Sequence, residues 1–310
     1  MVGGAGAGAV PAAGAALRTL LHETVDYAGL FPPAGLDMPA AVANYAAYRA
    51  GPDAWALGRF VLPAARLAEL ERAADPLLTP GDPWRLSALL GPDVAADADR
   101  VRDFDRRHRA RRTAVVDAVE LRAADDEAIA RAAALVPVGA TAYVELPLGG
   151  DVAPLVRAVA RAGMRAKART GGTTPDAFPP SEDLARFIEA CIAADVAFKA
   201  TAGLHHPLRG AYRLSYEPDA ATGVMFGFLN VFLATALLEA GASRVEARAL
   251  LEEGDPDALR IEHDAVAWRA HRLGARALAA ARSRMVSFGS CSFREPVDEM
   301  GGLLSAEERR

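Results

Sequence analysis

Short apolar runs alternate with helix-like segments along the whole chain. Eight runs have the length and composition of buried strands, and each precedes a segment whose apolar residues recur with helical spacing. The runs are TVDYAGLFPP, GRFVLPA, WRLSALLG, TAVVDAVELRA, TAYVELPL, MRAKART, AFKATAG and MVSFGSCSF. This alternation predicts an α/β protein with a parallel sheet, and eight units favour a (β/α)₈ barrel, the TIM barrel, with active residues at the C-terminal ends of its strands. An open doubly wound sheet is the alternative, although no GxGxxG follows the first run.

The segment between the seventh and eighth runs, about residues 212–284, is too long for one crossover helix. Residues 223–241 are apolar on all sides, which predicts a helix buried in the barrel wall or in an oligomer contact. The Arg-rich residues 257–284 suggest a long amphipathic helix packed outside. We interpret this segment as a helical elaboration of the barrel between strands 7 and 8.

One barrel domain is predicted for residues 15–300, flanked by a disordered Gly/Ala tail at 1–14 and a loose tail at 301–310. The N-terminal tail lacks the basic start of a secretory signal. The longest apolar run, residues 224–238, is shorter than the roughly 18–20 residues of a membrane span, and Asn230 interrupts it.

The balance of charge gives no reason to expect a nucleic-acid surface, because the net charge is -5 and the pI is about 5.8. The two cysteines, Cys191 and Cys291, suggest a reducing compartment and no disulfide framework. We therefore expect a cytoplasmic protein that acts on a small molecule, contacts neither nucleic acid nor membrane, and forms a homo-oligomer.

Lysine occurs at two positions only, Lys167 and Lys199, while every other Lys-or-Arg position holds arginine. Both lysines lie in the middle of a predicted strand, and the alternation of side chains directs both into the barrel. Lysine, unlike arginine, can lose its proton and attack a carbonyl group as a free amine. Adjacent strands lie about 4.8 Å apart, so the two ammonium groups would be near neighbours. Their repulsion is expected to lower at least one lysine pKa.

Carboxylate side chains lie on other predicted strands of the barrel. Alternation directs Glu145 inward, close to Lys167. In the fourth run only one of Asp117 and Glu120 can face inward unless a bulge intervenes, and either assignment fits the pattern. Asp26 in the first run is a further candidate. Such carboxylates would serve as proton relays or as charge compensation for the lysines.

Glycine turns follow the last three runs, and loops after the late strands of a barrel often hold phosphate on backbone N–H groups. Asn230 lies in an otherwise apolar helix and is expected to face the cavity, since a buried amide needs partners. The predicted substrate- or phosphate-binding residues are Arg169, Thr170, Gly171, Gly172, Gly203, His205, His206, Asn230, Gly289 and Ser290.

This set of motifs resembles the deoxyribose-phosphate aldolase family of class I aldolases. The similar segments are TVDYAGLFPPA, VDAVE, MRAKARTGG, DVAFKATAGL and VSFGSCSF, which fall in the first, fourth, sixth, seventh and eighth strands. The resemblance implies that Lys167 is the Schiff-base lysine and Lys199 the lysine that perturbs it. It also implies acidic roles for Asp117 and Asp26. The phosphate turns would comprise Gly171, Gly203, Gly289 and Ser290.

Three features depart from that family. Arg169 stands where the family has Ser or Thr after the catalytic lysine, the pair His205–His206 has no counterpart, and the insertion before the last strand is longer. These departures leave the substrate open.

The sequence thus predicts a lysine-dependent aldolase or lyase that acts on a small carbonyl compound, with or without a phosphate group, and uses no cofactor or metal. One alternative is a metal-dependent hydrolase or lyase in which His205 and His206 join Cys291 or Glu145. Another makes Cys291 a nucleophile with His205 as its base. The third is a barrel that binds a ligand without catalysis.

Overall fold

Eight parallel strands close into a barrel, which confirms the (β/α)₈ prediction. The structure, a computed structural model, describes residues 15–307 and the side chains of residues 18–303; the tail predicted at 1–14 lies outside these residues. The barrel strands, in their order around the barrel, are β1 Val25–Tyr27, β2 Leu57–Pro63, β3 Trp84–Leu89, β4 Ala114–Arg122, β5 Thr141–Glu145, β6 Arg165–Arg169, β7 Phe198–Thr201 and β13 Met285–Ser290.

Helices cover the outside of the barrel between most consecutive strands. The described helices are α1 Ala15–Leu21, α2 Met38–Ala50, α3 Leu67–Ala74, α4 Val94–His108, α5 Asp126–Ala133, α6 Ala153–Arg161, α7 Ser181–Ala193, α8 Phe228–Glu239, α9 Arg244–Leu251, α10 Ala275–Arg284 and α11 Arg294–Glu307. Several begin at polar capping residues. Asp37 accepts a hydrogen bond from the Ala40 N–H, and Ser243 forms a capping box with Glu246.

Small apolar residues on the strands make room for the helices. Ala166, Ala168, Phe198 and Ala200 are buried on the outer face of β6 and β7, and the ring of Phe198 meets the ring of Phe187 edge-on from α7. Lys167 and Lys199 alternate with these residues along the same strands, so their side chains point into the barrel.

The segment between β7 and β13 is mixed, with strands as well as helices. It contains a hairpin, β8 Gly210–Arg213 with β9 Thr222–Met225, and a three-stranded antiparallel sheet, β10 Leu259–Ile261, β11 Ala265–Trp268 and β12 His271–Gly274. The long helix predicted for residues 257–284 is therefore wrong. Buried Leu259 and Ile261 flank exposed Arg260, a period of two that suits a strand; the one α-helix described in this stretch is α10.

The apolar helix predicted within residues 223–241 is present as α8, although residues 222–225 belong to β9. All its residues from Phe228 to Leu237 are buried, and Phe228 stacks on Phe288 of β13 with ring centroids 4.9 Å apart. The helix is apolar all round because it packs between β13 and the other inserted elements.

The C-terminal tail predicted as loose from residue 301 is helical through residue 307, the last residue that the structure describes. Across the part of the chain that the structure describes, every helix is too short or too polar to cross a membrane.

Candidate active site

A cavity of about 640 Å³ lies at the C-terminal end of the barrel strands. Strand ends form one side of it and the β8–β9 hairpin with its loop forms the other. The strand-end residues on its wall include Arg122, Arg169, Thr201 and Gly289; the hairpin supplies Tyr212, Leu214, Tyr216 and Met225. Lys167 and Glu120 also line it. This is the end of the barrel where TIM-barrel enzymes place their catalytic groups.

The two lysines are direct register partners on adjacent parallel strands, Lys167 on β6 and Lys199 on β7. Both side chains are almost fully buried, with 4% and 2% of their surface exposed. Lys167 borders the cavity, whereas Lys199 lies behind it, 5.5 Å from the centroid of the Tyr143 ring. The two lysines thus differ in access to a bound molecule.

Glu120 lies between the two ammonium groups. Its Oε2 is 2.7 Å from Nζ of Lys167, and its Oε1 is 2.7 Å from Nζ of Lys199. The Ser87 hydroxyl donates a further hydrogen bond to Oε1 at 2.7 Å. One carboxylate therefore holds both amines and is itself fixed from β3.

Asp26 anchors the inner end of this network. Its Oδ2 accepts hydrogen bonds from Lys199 Nζ at 2.6 Å and from the Ser287 hydroxyl at 2.8 Å, and its Oδ1 accepts from the Arg59 N–H. Gly58 is required beside it, because a Cβ at that position would lie 2.4 Å from Oδ1.

Glu145 ends the network at the cavity. Its Oε2 lies 2.8 Å from Lys167 Nζ, and its Oε1 contacts two guanidinium groups, Arg169 at 2.9 Å and Arg122 at 3.1 Å. Acidic and basic groups thus alternate from Asp26 to the arginines. Each buried charge has an opposite charge beside it, as a low-dielectric interior demands.

The network shifts the ionisation of its members. Burial alone would raise the pKa of Glu120, but the attraction of Lys167 and Lys199 outweighs it and holds that pKa well below the ordinary range. At Glu145, burial is likewise outweighed by Lys167 and Arg169, and the pKa falls to about 2. Burial lowers the pKa of Lys199 less than Asp26 and Glu120 raise it, so the net shift is upward.

The sequence predicts that at least one lysine pKa is lowered, and at Lys199 the net shift is upward. The reason is the pair of carboxylates in contact with it, Asp26 and Glu120, of which Glu120 also lies between the two positive charges.

Asp117 lies apart from the lysines. Its carboxylate binds Arg59 at 2.6 Å and Arg85 at 3.0 Å, and Arg85 in turn binds Glu23, which precedes β1. This cluster belongs to the N-terminal end of the barrel, while the fourth-strand acid beside the lysines is Glu120. The register of β4 against β3 shifts at Asp117, and this bulge lets residues of both parities turn inward.

Six of the residues predicted to bind substrate line the cavity: Arg169, Gly172, Gly203, His205, His206 and Gly289. The other four, Thr170, Gly171, Asn230 and Ser290, have contacts of their own elsewhere. The hydroxyl of Thr170 donates to the Ala202 carbonyl at 2.6 Å, and Gly171 packs against the ring of Phe178. Ser290 is buried with its Oγ 3.4 Å from His205 Nδ1.

Asn230 ties inserted segments together. Its Oδ1 accepts a hydrogen bond from the Arg209 N–H at 2.8 Å. Its Nδ2 donates to the carbonyls of Leu250 at 2.7 Å and Glu253 at 2.9 Å. The amide that was expected to face the cavity is thus occupied by backbone groups, as burial requires.

The two histidines bind different carboxylates of α11. His205 Nδ1 lies 2.9 Å from Glu295, and His206 Nδ1 lies 2.8 Å from Glu299, with the ring of His206 stacked on Tyr212. Among side chains of residues 18–303, three or more His, Cys, Asp or Glu nowhere converge in a way that could hold a metal ion. The metal-dependent alternative thus lacks a ligand set in this part of the chain.

Some site residues were not predicted. The sequence left Glu120 as an alternative to Asp117, and the bulge in β4 brings Glu120 to the lysines. Arg122, at the end of the same strand, follows from that correction. Tyr212, Tyr216 and Glu295 could not have been found, because the hairpin and α11 reach the cavity only through the tertiary fold.

Comparison with known proteins finds distant structural neighbours. The sequence matches no family model and no curated protein. FabK from Thermotoga maritima is a structural neighbour with a TM-score of 0.34 and 16% identity, covering 64% of this chain and 56% of FabK. Nitroalkane oxidase from Streptomyces ansochromogenes has a TM-score of 0.33 and 17% identity, covering 62% of each chain. The chain spans less than two thirds of either neighbour, and these values bear on neither activity nor substrate.

Proposed function

We propose that this protein is a lysine-dependent aldolase or lyase that forms a Schiff base between Lys167 and a small carbonyl compound. The observation that carries the proposal is the position of Lys167. Its ammonium group borders the cavity, with Glu120 and Glu145 within 2.8 Å, in a chain whose other lysine lies behind it. A reactive amine needs a group that can take its proton, and here two carboxylates are in contact.

The chemistry balances with these groups alone. A carboxylate accepts one proton from the Lys167 ammonium, and the free Nζ adds to the carbonyl carbon while the C=O π bond breaks. The resulting hydroxyl takes up a proton and leaves as water, which gives the imine. In the lyase direction the electron pair of the broken C–C bond passes to the protonated imine, and a carboxylate takes the hydroxyl proton of the departing aldehyde.

Lys199 acts as a positioning residue in this scheme. It is held by Asp26 and Glu120 and does not border the cavity. Its charge holds Glu120 ionised beside Lys167, where a carboxylate has to be ionised to accept a proton.

The charges of the network favour an anionic group on the substrate. Three acids, Asp26, Glu120 and Glu145, face Lys167, Lys199, Arg122 and Arg169, so one positive charge is in excess. Both arginines border the cavity and share a single carboxylate. A phosphate or carboxylate on the substrate would pair with them.

Borohydride reduction in the presence of small aldehydes and ketones tests the proposal. Reduction converts an imine to a stable amine, so wild-type protein should gain the mass of the reduced carbonyl compound, while the Lys167→Arg variant should not. A wild-type protein that gains no mass with any carbonyl compound of the panel would refute the proposal.

A further inference from the structure

A second cluster of reactive side chains lies on the same cavity, on the side of β13 and α11. It consists of Cys291, His205 and Glu295, all of which border the cavity. Cys291 follows β13, His205 follows β7, and Glu295 lies in the first turn of α11. None of the three contacts the lysine network, so their arrangement needs its own explanation.

The three side chains form a relay. The Sγ of Cys291 lies 3.9 Å from Nε2 of His205, and Nδ1 of the same ring lies 2.9 Å from Oε2 of Glu295. A carboxylate on one ring nitrogen fixes the orientation of the imidazole and turns the other nitrogen towards the thiol. This is the order nucleophile, base and orienting acid.

The imidazole of His205 is nearly buried, with 8% of its side chain exposed. Burial lowers its pKa, but the contacts with Cys291 and Glu295 outweigh burial and raise the pKa to about 9. A protonated ring can donate its proton to the oxygen of a bound carbonyl group. The thiol also precedes the N-terminal end of α11, where negative charge is favoured.

We propose that Cys291, His205 and Glu295 form a second reactive centre that adds reversibly to small aldehydes. Nε2 of the protonated His205 ring gives its proton to the aldehyde oxygen as Sγ bonds to the aldehyde carbon and the C=O π bond breaks. The thiol proton then passes to Nε2 and restores the ring, giving a thiohemiacetal without any oxidant or co-reactant. This centre is distinct from Lys167 and does not depend on imine formation.

Alkylation of the thiol by iodoacetamide tests the activation. The rate at Cys291 is measured at pH 7 by peptide mass spectrometry in the folded protein and in protein unfolded by urea. Burial alone would make the folded thiol react more slowly, whereas activation should make it react about ten-fold faster. A folded rate at or below the unfolded rate would overturn the proposal.

Two variants separate activation from access. His205→Asn should remove the enhancement, and Glu295→Gln, which keeps the size of the side chain, should reduce it several-fold. Cys191, buried in α7 with a pKa that burial raises, serves as the unactivated thiol in the same digest. If Cys291 reacts as fast in both folded variants as in the folded wild type, the relay is absent.

Aldehyde binding is tested by competition. Acetaldehyde should slow the alkylation of Cys291 in the Lys167→Arg variant, which lacks the lysine that borders the cavity. Slowing in the wild type alone would assign the effect to Lys167 and contradict aldehyde addition at Cys291. The outcome for the thiol is thus independent of the outcome for the lysine.

Discussion

Lys167 and Lys199 are register partners on neighbouring strands, and their ammonium groups contact opposite oxygens of one buried carboxylate, that of Glu120. This relationship decides how two lysines can share a barrel interior. Without the carboxylate, two like charges would face each other in a low-dielectric region. We therefore expect Glu120 to stabilise the barrel, and the chemistry proposed for Lys167 depends on it.

Replacing Glu120 by Gln keeps the shape and removes the charge. We expect the free energy of unfolding to fall by roughly 3–5 kcal/mol, because both ammonium groups lose a buried partner. Urea unfolding at pH 7 measures the loss. Asp99→Asn, which breaks the exposed pair with Arg102, serves as the control and should change stability little. Equal stability of the Glu120→Gln variant and the wild type would contradict this account of the network.

Acid should weaken the network through Glu145. Its pKa is ordinarily near 4.5 and falls to about 2 in the folded protein. The stabilisation from Glu145 is therefore fully present above about pH 4.5 and is lost as the pH falls through about 2. Unfolding free energies of wild type and Glu145→Gln should differ at pH 7 and converge towards pH 2. A difference that stays constant across this range would show that Glu145 is not held ionised by Lys167 and Arg169.

The arginines at the cavity should select for anionic substrates. In the Arg122→Gln variant, borohydride trapping of glycolaldehyde phosphate should need a roughly ten-fold higher aldehyde concentration, since a charged hydrogen bond is lost. Trapping of glycolaldehyde itself should be unchanged. Arg131→Gln, on the exposed surface of α5, is the matched control. An equal rise in the concentration needed for both aldehydes would mean that Arg122 supports the fold of the site and does not bind the charged group of the ligand.

Asn230 should matter for stability and not for ligand contact. The Asn230→Ala variant leaves two carbonyls and one N–H without their partner, and we expect a loss of roughly 1–3 kcal/mol. Asn44→Ala removes a single, longer hydrogen bond to Tyr27 and should cost less. Thermal unfolding compares the two. If Asn230→Ala instead keeps wild-type stability and loses trapping, Asn230 contacts the substrate.

Much of the barrel could be read from the sequence because its strands and helices follow local patterns. Apolar runs ending in glycine turns gave β6, β7 and β13, and strand parity placed Lys167 beside Lys199. The sheet at 259–274 is not predicted from the sequence because its strands are three or four residues long, too short to set a period of two apart from a helical one.

The candidate site was only partly predictable, for a different reason. The choice between Asp117 and Glu120 depends on a bulge in β4, and a bulge shifts every later side chain to the other face. The partnership of His205 with Glu295 joins residues 90 positions apart through the fold. No local pattern carries such contacts.

The presence of only two lysines allows a direct test of the central claim. After borohydride reduction with acetaldehyde, the protein is unfolded and digested with a lysine-specific protease, which does not cleave at an alkylated lysine. The account predicts that cleavage after Lys167 is lost and cleavage after Lys199 is kept, with no adduct at residue 167 in the Lys167→Arg variant. Cleavage after both lysines, or loss of cleavage at Lys199 alone, would contradict the assignment of Lys167 as the Schiff-base amine.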